Sequence, residues 1–323
     1  MLELFRKNLF IYNIFLLLYL ILLRISWFFI DAPIFEMKPG ILSRYLYQAI
    51  GIDSLLIKFF AIALIIFQAI QINRVVALNR LTSINSLFPG LFYVLLTSLS
   101  INMMPLYPAL LANTFIITMY MEVFSQTRNI ELPLKMFNVG LYAGLASLFY
   151  FPYIIFLPVG CISVLYLRTF KTKDFTRATI GALVPYILLA TVVYLTDHLG
   201  DLLKDHFVGN FALLDMLGYY DWKDYVIIGI YAMTSIIALA TANSFGRGLN
   251  IHVRKKISVI FLSLVSAILL TVFVVNTDVS SLLFLSVPLA VLMGAMFLSL
   301  EKQFAEILHF ILFVTALLFQ YVV

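Results

Sequence analysis

Arg24 is the residue whose setting most invites a chemical role: a guanidinium about two helical turns inside the end of a long apolar run, Asn8 to Ile30. A charge at that depth costs roughly 2.5 kcal/mol or more unless it is partnered or snorkels on its long stem to the headgroups. Asp31 follows seven residues later; if the helix continues, the two project from one face about 10 Å apart along the axis. A cation and a carboxylate so placed can hold a lipid phosphate and remove a proton. Glu36 adds a second acid across Pro33, and carboxylates in unlike surroundings can divide acid and base work. Arg44 and Lys58 complete the cationic set for a lipid phosphate. The alternatives are ordinary: Arg24 snorkelling, and Asp31 and Glu36 solvated in a loop.

Other groups point away from metal, redox and nucleotide chemistry. Asp197, Asp201 and Asp205 fall at i, i+4, i+8 beside His198, with His206 next to the last of them. No HExxH or Cys/His spacing accompanies them, so a solvated acidic face is expected rather than a metal site. Cys161 is the single cysteine, which excludes an intrachain disulfide and suits a small core residue. There is no Walker loop, no GxSxG and no dinucleotide fingerprint, and no cofactor is expected.

The elements that must position these residues are written in the composition. Of 323 residues, 63% are hydrophobic and 11% charged, and the mean hydropathy is +1.05. A helical span needs roughly 20 apolar residues to cross about 30 Å of hydrocarbon, and in lipid each span must satisfy its own backbone hydrogen bonds. Eleven runs fit, at roughly 8–30, 55–72, 84–100, 105–124, 136–151, 153–167, 178–196, 226–243, 257–275, 282–299 and 307–323. The expected fold is therefore an all-α, polytopic transmembrane bundle, one integral-membrane domain over residues 1–323. The first run reads as a retained span, since Trp27, Phe28 and Phe29 stand where a signal peptide would show a small-residue cleavage site.

Charge gives the expected orientation. Segments assigned inside carry fifteen of the 21 basic residues, with clusters at Arg168–Arg177 and Arg254–Lys256, against four in segments assigned outside. That bias puts the N-terminus in and the C-terminus out. The basic clusters then touch anionic lipid, and the sequence pI near 9.1 needs no nucleic-acid partner. Aromatic residues agree: Trp27 to Phe29, Phe149 to Tyr153, and Tyr219 to Trp222 fall at the expected outer interface.

Two outer segments are expected to cap the bundle, 31–54 and 197–225. In the first, apolar residues at 41, 42, 45, 46, 49 and 50 make a helical stripe with Arg44 and Gln48 opposite, which predicts a short helix lying in the interface after span one. Gly140 and Gly144 form a GxxxG pair, expected to serve close packing inside the bundle in preference to a dimer contact.

From Leu81 to Leu195 the chain resembles the middle of GT-C type integral-membrane glycosyltransferases. The likeness lies in short outer turns such as Asn102-Met103-Met104-Pro105 and Phe151-Pro152-Tyr153, in "VGLYAGLASLFYFPYIIFLPVGCISVLYLR", in the basic turn "TFKTKDFTRA", and in "IGALVPYILLATVVYL" with its central proline. The resemblance implies transfer of a sugar from a polyprenyl-phosphate lipid at the outer face of a bacterial inner membrane. It implies Asp31 as general base, while Arg24 as a phosphate contact comes from position alone. The family's adjacent acidic pair is missing here, for Asp31 stands alone until Glu36, and there is no DxD. Two other functions stay open: a non-catalytic membrane subunit working with membrane-protein partners, and a transporter or lipid-linked flippase using spans broken at Pro89-Gly90, Pro158, Pro185 and Pro288.

Overall fold

The protein is seen in a computed structural model that describes residues 2–7, 11–30, 39–51, 54–125, 132–168, 172–195, 222–241, 250–273 and 279–321. Among these residues the fold is all-α, with no strand. The α-helices are α1 (Tyr12–Arg24), α2 (Ile41–Ile50), α3 (Leu55–Asn79), α4 (Phe88–Leu96), α5 (Pro108–Ser125) and α6 (Leu132–Phe149). They continue as α7 (Phe156–Leu167), α8 (Thr172–Leu195), α9 (Trp222–Ala240), α10 (Ile251–Phe273), α11 (Leu283–Ser299) and α12 (Lys302–Tyr321). Each apolar run of the sequence holds one of these helices, and α2 is the additional one. Among the described residues, eight helical segments are long and apolar enough to cross a bilayer, including α3, α5, α6 and α8. The stretches Tyr12–Phe28 and Phe151–Leu167 are shorter apolar helices. The chain is a multi-pass integral membrane protein, with apolar side chains such as Phe59, Ile187, Val192 and Ile236 exposed on its flanks, where only lipid or another apolar surface suits them.

The third run departs from expectation. A full span was expected over 84–100, yet α4 has 9 residues, about 13 Å of rise and under half the hydrocarbon thickness. Pro89 and Gly90 open it, and Thr97 to Ser100, Pro105 and Pro108 prevent its extension. The connection from Thr97 to Tyr107 is mostly non-helical and mostly buried, with Leu99, Met103, Met104, Leu106 and Tyr107 fully enclosed. Irregular backbone at this depth is tolerated only where protein surrounds it. Here α11 supplies much of that wall: Gly294 lets Pro89 of α4 sit against its backbone, where a Cβ would come within 3.0 Å of three Pro89 atoms.

Helices α6 and α8 make the closest pair. Gly140 faces the Ala178 carbonyl, Gly144 faces Ala182, and Gly181 returns the contact against Phe137. The constant offset means the two run parallel, and Ser147 and Tyr186 join them by a 2.7 Å hydrogen bond. The GxxxG pair therefore packs within the chain, as its sequence suggested. A Cβ on Gly140 would overlap backbone atoms that cannot rotate away. Gly140→Val is expected to destabilise by about 3 kcal/mol, the upper part of the overpacking range. Gly229 on α9 has nothing within 4 Å of an added Cβ, so Gly229→Ala should stabilise by roughly 0.5–1 kcal/mol through helix propensity. Thermal denaturation in detergent micelles reads both; equal responses would remove the contrast.

The ends of the bundle differ. One collects the start of α6, α8 and α10 and the end of α3, α5 and α7: Lys256 donates to Asn79 at 2.8 Å, Lys135 to the Ser125 carbonyl at 3.1 Å, and Asp174 binds Arg168 and Arg177. Its cations are numerous, and Lys302 near Glu3 belongs to it. The other end holds Trp27, α2, the tip of α6 and the 97–107 connection.

Candidate functional site

Breaking a helix inside a membrane protein strands its last carbonyls, and the site is built around meeting that demand. Side chains from five elements do so. Tyr231 of α9 donates to the Leu96 carbonyl at 2.9 Å, and Gln320 of α12 donates to the Ser98 carbonyl at 3.1 Å. Arg24 donates through Nη2 to the Thr97 carbonyl at 2.7 Å, through Nη1 to the Met104 carbonyl at 2.6 Å, and through Nε to Ser98 Oγ at 3.0 Å. Tyr107 donates to the Asn102 carbonyl at 2.7 Å and Tyr47 of α2 to the Leu106 carbonyl at 2.6 Å. A cation at the C-terminal end of α4 also meets the negative pole of that helix.

Arg24 is fully buried, with its guanidinium carbon 5.9 Å from the centre of the Trp27 ring. It does not snorkel. No carboxylate among the described residues pairs with it; backbone carbonyls take that place. The α-helix stops at Arg24 and tightens into a 3-10 turn over Ile25–Phe28, so one continuous helix does not set the spacing from 24 to 31. The turn is held from across the bundle, where Ser26 donates to Gln320 Oε1 at 3.1 Å. Asp31 and Glu36 lie outside the described residues, as do Asp197, His198, Asp201, Asp205 and His206.

Lys58 sits on the first turn of α3. Its ammonium donates to the Trp27 carbonyl at 2.7 Å and lies 5.6 Å from the Trp27 ring centre and 5.8 Å from that of Phe28. Arg44 is half-buried on α2. The structure thus gathers Arg24 and Lys58 about Trp27.

Helix α2 spans the residues its periodicity predicts but is rotated about its axis: Leu46 and Ile50 of the apolar stripe pack against the core and Gln48 stays exposed, as expected, while the rest of the facing has shifted. Its buried face is Ile41, Ser43 and Tyr47, while Tyr45, inside the apolar stripe, is exposed. Polar bonding decides the orientation. The Gly40 N–H and the Ser43 hydroxyl both donate to the carbonyl of Phe149, the last residue of α6, at 2.9 and 2.8 Å. A Cβ at Gly40 would collide with the Phe149 carbonyl, so only glycine permits this approach. Part of the stripe is left for the bilayer surface. Burial pushes the Tyr47 phenol far above its ordinary titration range, which keeps it a donor. Tyr47→Phe leaves the Leu106 carbonyl without that donor and should cost about 1–2 kcal/mol. Faster amide exchange across α2 would register the loss, and unchanged exchange would contradict it.

A second polar knot lies deeper. Tyr93 donates to Gln68 Oε1 at 2.6 Å, and Gln68 donates to the Leu110 carbonyl and Thr114, each at 2.7 Å. Tyr153 donates to Asn113 Oδ1 at 2.7 Å, and Asn113 reaches the Leu283 carbonyl at 3.1 Å. Sequence reading passed over Gln68, Asn113, Tyr231 and Gln320. For Gln68, Asn113 and Gln320 the available signal was an amide within an apolar run, which in hydrocarbon demands a partner; Tyr231 carried no such signal. Cys161 is buried and unbridged, and among the described residues no group of three His, Cys, Asp or Glu is placed to hold a metal. No family model, no curated protein and no solved structure matches the chain.

Proposed function

We propose that the protein is a GT-C-like glycosyltransferase of a bacterial inner membrane, using a polyprenyl-phosphate-linked sugar at the outer face. In this reading the chain crosses eleven times with its basic end in the cytoplasm, as the distribution of cations favours. The observation that carries the proposal is the docking of α2. Gly40 and Ser43 fasten it to the tip of α6, and Ile30 is fastened on the other side by its N–H to the Ser26 carbonyl at 2.9 Å. The two ends of the segment bearing Asp31 and Glu36 are thereby secured at the end of the bundle that faces outward. Lys58, held at Trp27, offers its remaining ammonium protons to a lipid phosphate at the same end.

The chemistry asked of the site is limited. A carboxylate, Asp31 by position, takes the proton of an acceptor hydroxyl; the new C–O bond forms as the sugar–phosphate bond breaks and polyprenyl phosphate departs. Arg24 is not needed as a ligand contact; it supports the 97–107 connection. The test is transfer of radiolabelled sugar from its polyprenyl phosphate to an acceptor in membranes carrying the intact protein or Asp31→Asn. Full transfer by the variant would remove Asp31 from the reaction.

A non-catalytic membrane subunit is the second reading. It is favoured by the broad apolar faces of α8, α9 and α12, whose spanning windows are 28%, 28% and 22% buried, leaving room for partner helices. Stoichiometric copurification of membrane partners in mild detergent would support it. A transporter draws less support, because the carbonyls at the end of α4, which a broken helix offers to a solute, already accept from Arg24, Tyr231 and Gln320.

A further inference from the structure

We infer that the oxygens left over where α4 breaks form a guanidinium site, which the chain fills with its own Arg24 and which takes a free alkylguanidinium once that side chain is cut back. The inference stands independently of the transferase reading, in which Arg24 touches no substrate. The Thr97 carbonyl, the Met104 carbonyl and Ser98 Oγ define the site, each receiving a different nitrogen of the fork at 2.7, 2.6 and 3.0 Å. These acceptors come from the start and from the later part of the connection that follows α4, so one planar cation ties the two together. Trp27 adds an aromatic wall, its ring centre 5.9 Å from the guanidinium carbon.

The acceptors are placed by bonds in which Arg24 takes no part. The Thr97 hydroxyl donates back to the carbonyls of Tyr93 and Val94 at 2.9 and 3.2 Å, which holds the last turn of α4. Gln320 donates to the Ser98 carbonyl and Tyr231 to the Leu96 carbonyl. Further along, the N–H groups of Met103 and Met104 donate to the carbonyls of Ser100 and Ile101 at 3.0 and 3.1 Å. A cradle tied in this way keeps its shape in the folded protein when its occupant is removed. Fixed carbonyl oxygens take the place of a cation's hydration shell, and the negative pole of α4 adds to their pull. Their division among three nitrogens selects a planar fork over a compact point charge. Thr97, Ser98 and Met104 are all buried, so in the native protein Arg24 keeps every other cation out.

The test is thermal unfolding of the full chain carrying Arg24→Ala, in micelles, with ethylguanidinium as the added ligand, the part of the arginine that alanine lacks. With a dissociation constant on the order of 1 mM, the ligand at about 10 mM should favour the folded variant roughly tenfold and raise its melting temperature. The wild type and Arg24→Lys, whose cradles are already filled, should not respond. Butylammonium, of similar length but with a point charge, should leave Arg24→Ala unchanged. Adding Ser98→Ala to Arg24→Ala should weaken ethylguanidinium binding about tenfold, the worth of one hydrogen bond to a charged donor. Because Arg24→Ala strips buried carbonyls of their donors and puts folding at risk, the wild type is read as well, by NMR with isotope-labelled arginine assigned by difference against Arg24→Lys. Donors bound to fixed acceptors give separately resolved Nη protons that exchange slowly. Rescue by ethylguanidinium and not by butylammonium upholds the site, as does recovery of folded Arg24→Ala only when ethylguanidinium is present. Equal rescue by both cations, a folded Arg24→Ala that does not respond, or averaged and fast-exchanging Nη protons in the wild type overturns it. Where the variant folds under neither condition, the wild-type spectrum decides.

Discussion

Arg24→Met will lower the stability of the folded protein by about 4 kcal/mol, since it leaves two buried carbonyls, Thr97 and Met104, without those donors at roughly 2 kcal/mol each. Replacing a buried charge with an apolar side chain is often harmless when its partner is replaced as well, because the cost of desolvating the ion disappears. That route is closed here. The partners are main-chain carbonyls, which no substitution removes, and they lie where water does not reach. Arg24→Lys keeps the charge on one compact ammonium in place of three spread nitrogens, and should recover about half of the loss. Thermal unfolding of the purified protein in micelles measures both. A variant with an unaltered melting temperature and impaired lipid binding would instead make Arg24 a ligand contact.

Asp31→Asn is expected to cut sugar transfer by about 10²- to 10⁴-fold, the usual contribution of a positioned general base. Its flanks are held by main-chain bonds, Ile30 to Ser26 and Gly40 to Phe149, together with the Ser43 hydroxyl. The melting temperature should therefore stay at the wild-type value. Asp31→Glu retains the base on a longer arm and should retain part of the activity. Glu36→Gln separates the two acids: a loss as deep as that of Asp31→Asn would show that they act together. Transfer at the wild-type rate by Asp31→Asn would end the proposed role, while loss of transfer in every variant along with loss of folding would mark the residue as structural.

Helix positions were legible in the sequence because hydrocarbon imposes a local rule. Each run had to be apolar over its own length, so α3, α8 and α10 could be located without knowing their neighbours. The helix α2 was legible for the same reason, down to its ends. Its facing was not, because Ser43 and Tyr47 are turned inward by carbonyls of Phe149 and Leu106, which belong to other parts of the chain. The shortness of α4 had local signs in Pro89, Ser98, Pro105 and Pro108, but hydropathy averaged over the run hid them. Arg24 stood out as a charge in an apolar run, yet its partners lie 73 to 80 residues away and two of them are backbone atoms. A sequence names its side chains; it does not say which carbonyls will be left wanting.

The first and last described transmembrane segments close the bundle on itself. Tyr19 meets His309 at 3.1 Å and Ser26 meets Gln320 at 3.1 Å, pairs separated by 290 and 294 positions. During synthesis α1 enters the membrane long before α12 has been translated, so its inward face must wait on lipid or on an insertion chaperone until α12 has emerged. Translation that stops within α11 would yield a product with every earlier segment inserted and this seam unsealed, a form that membrane quality-control proteases are equipped to recognise.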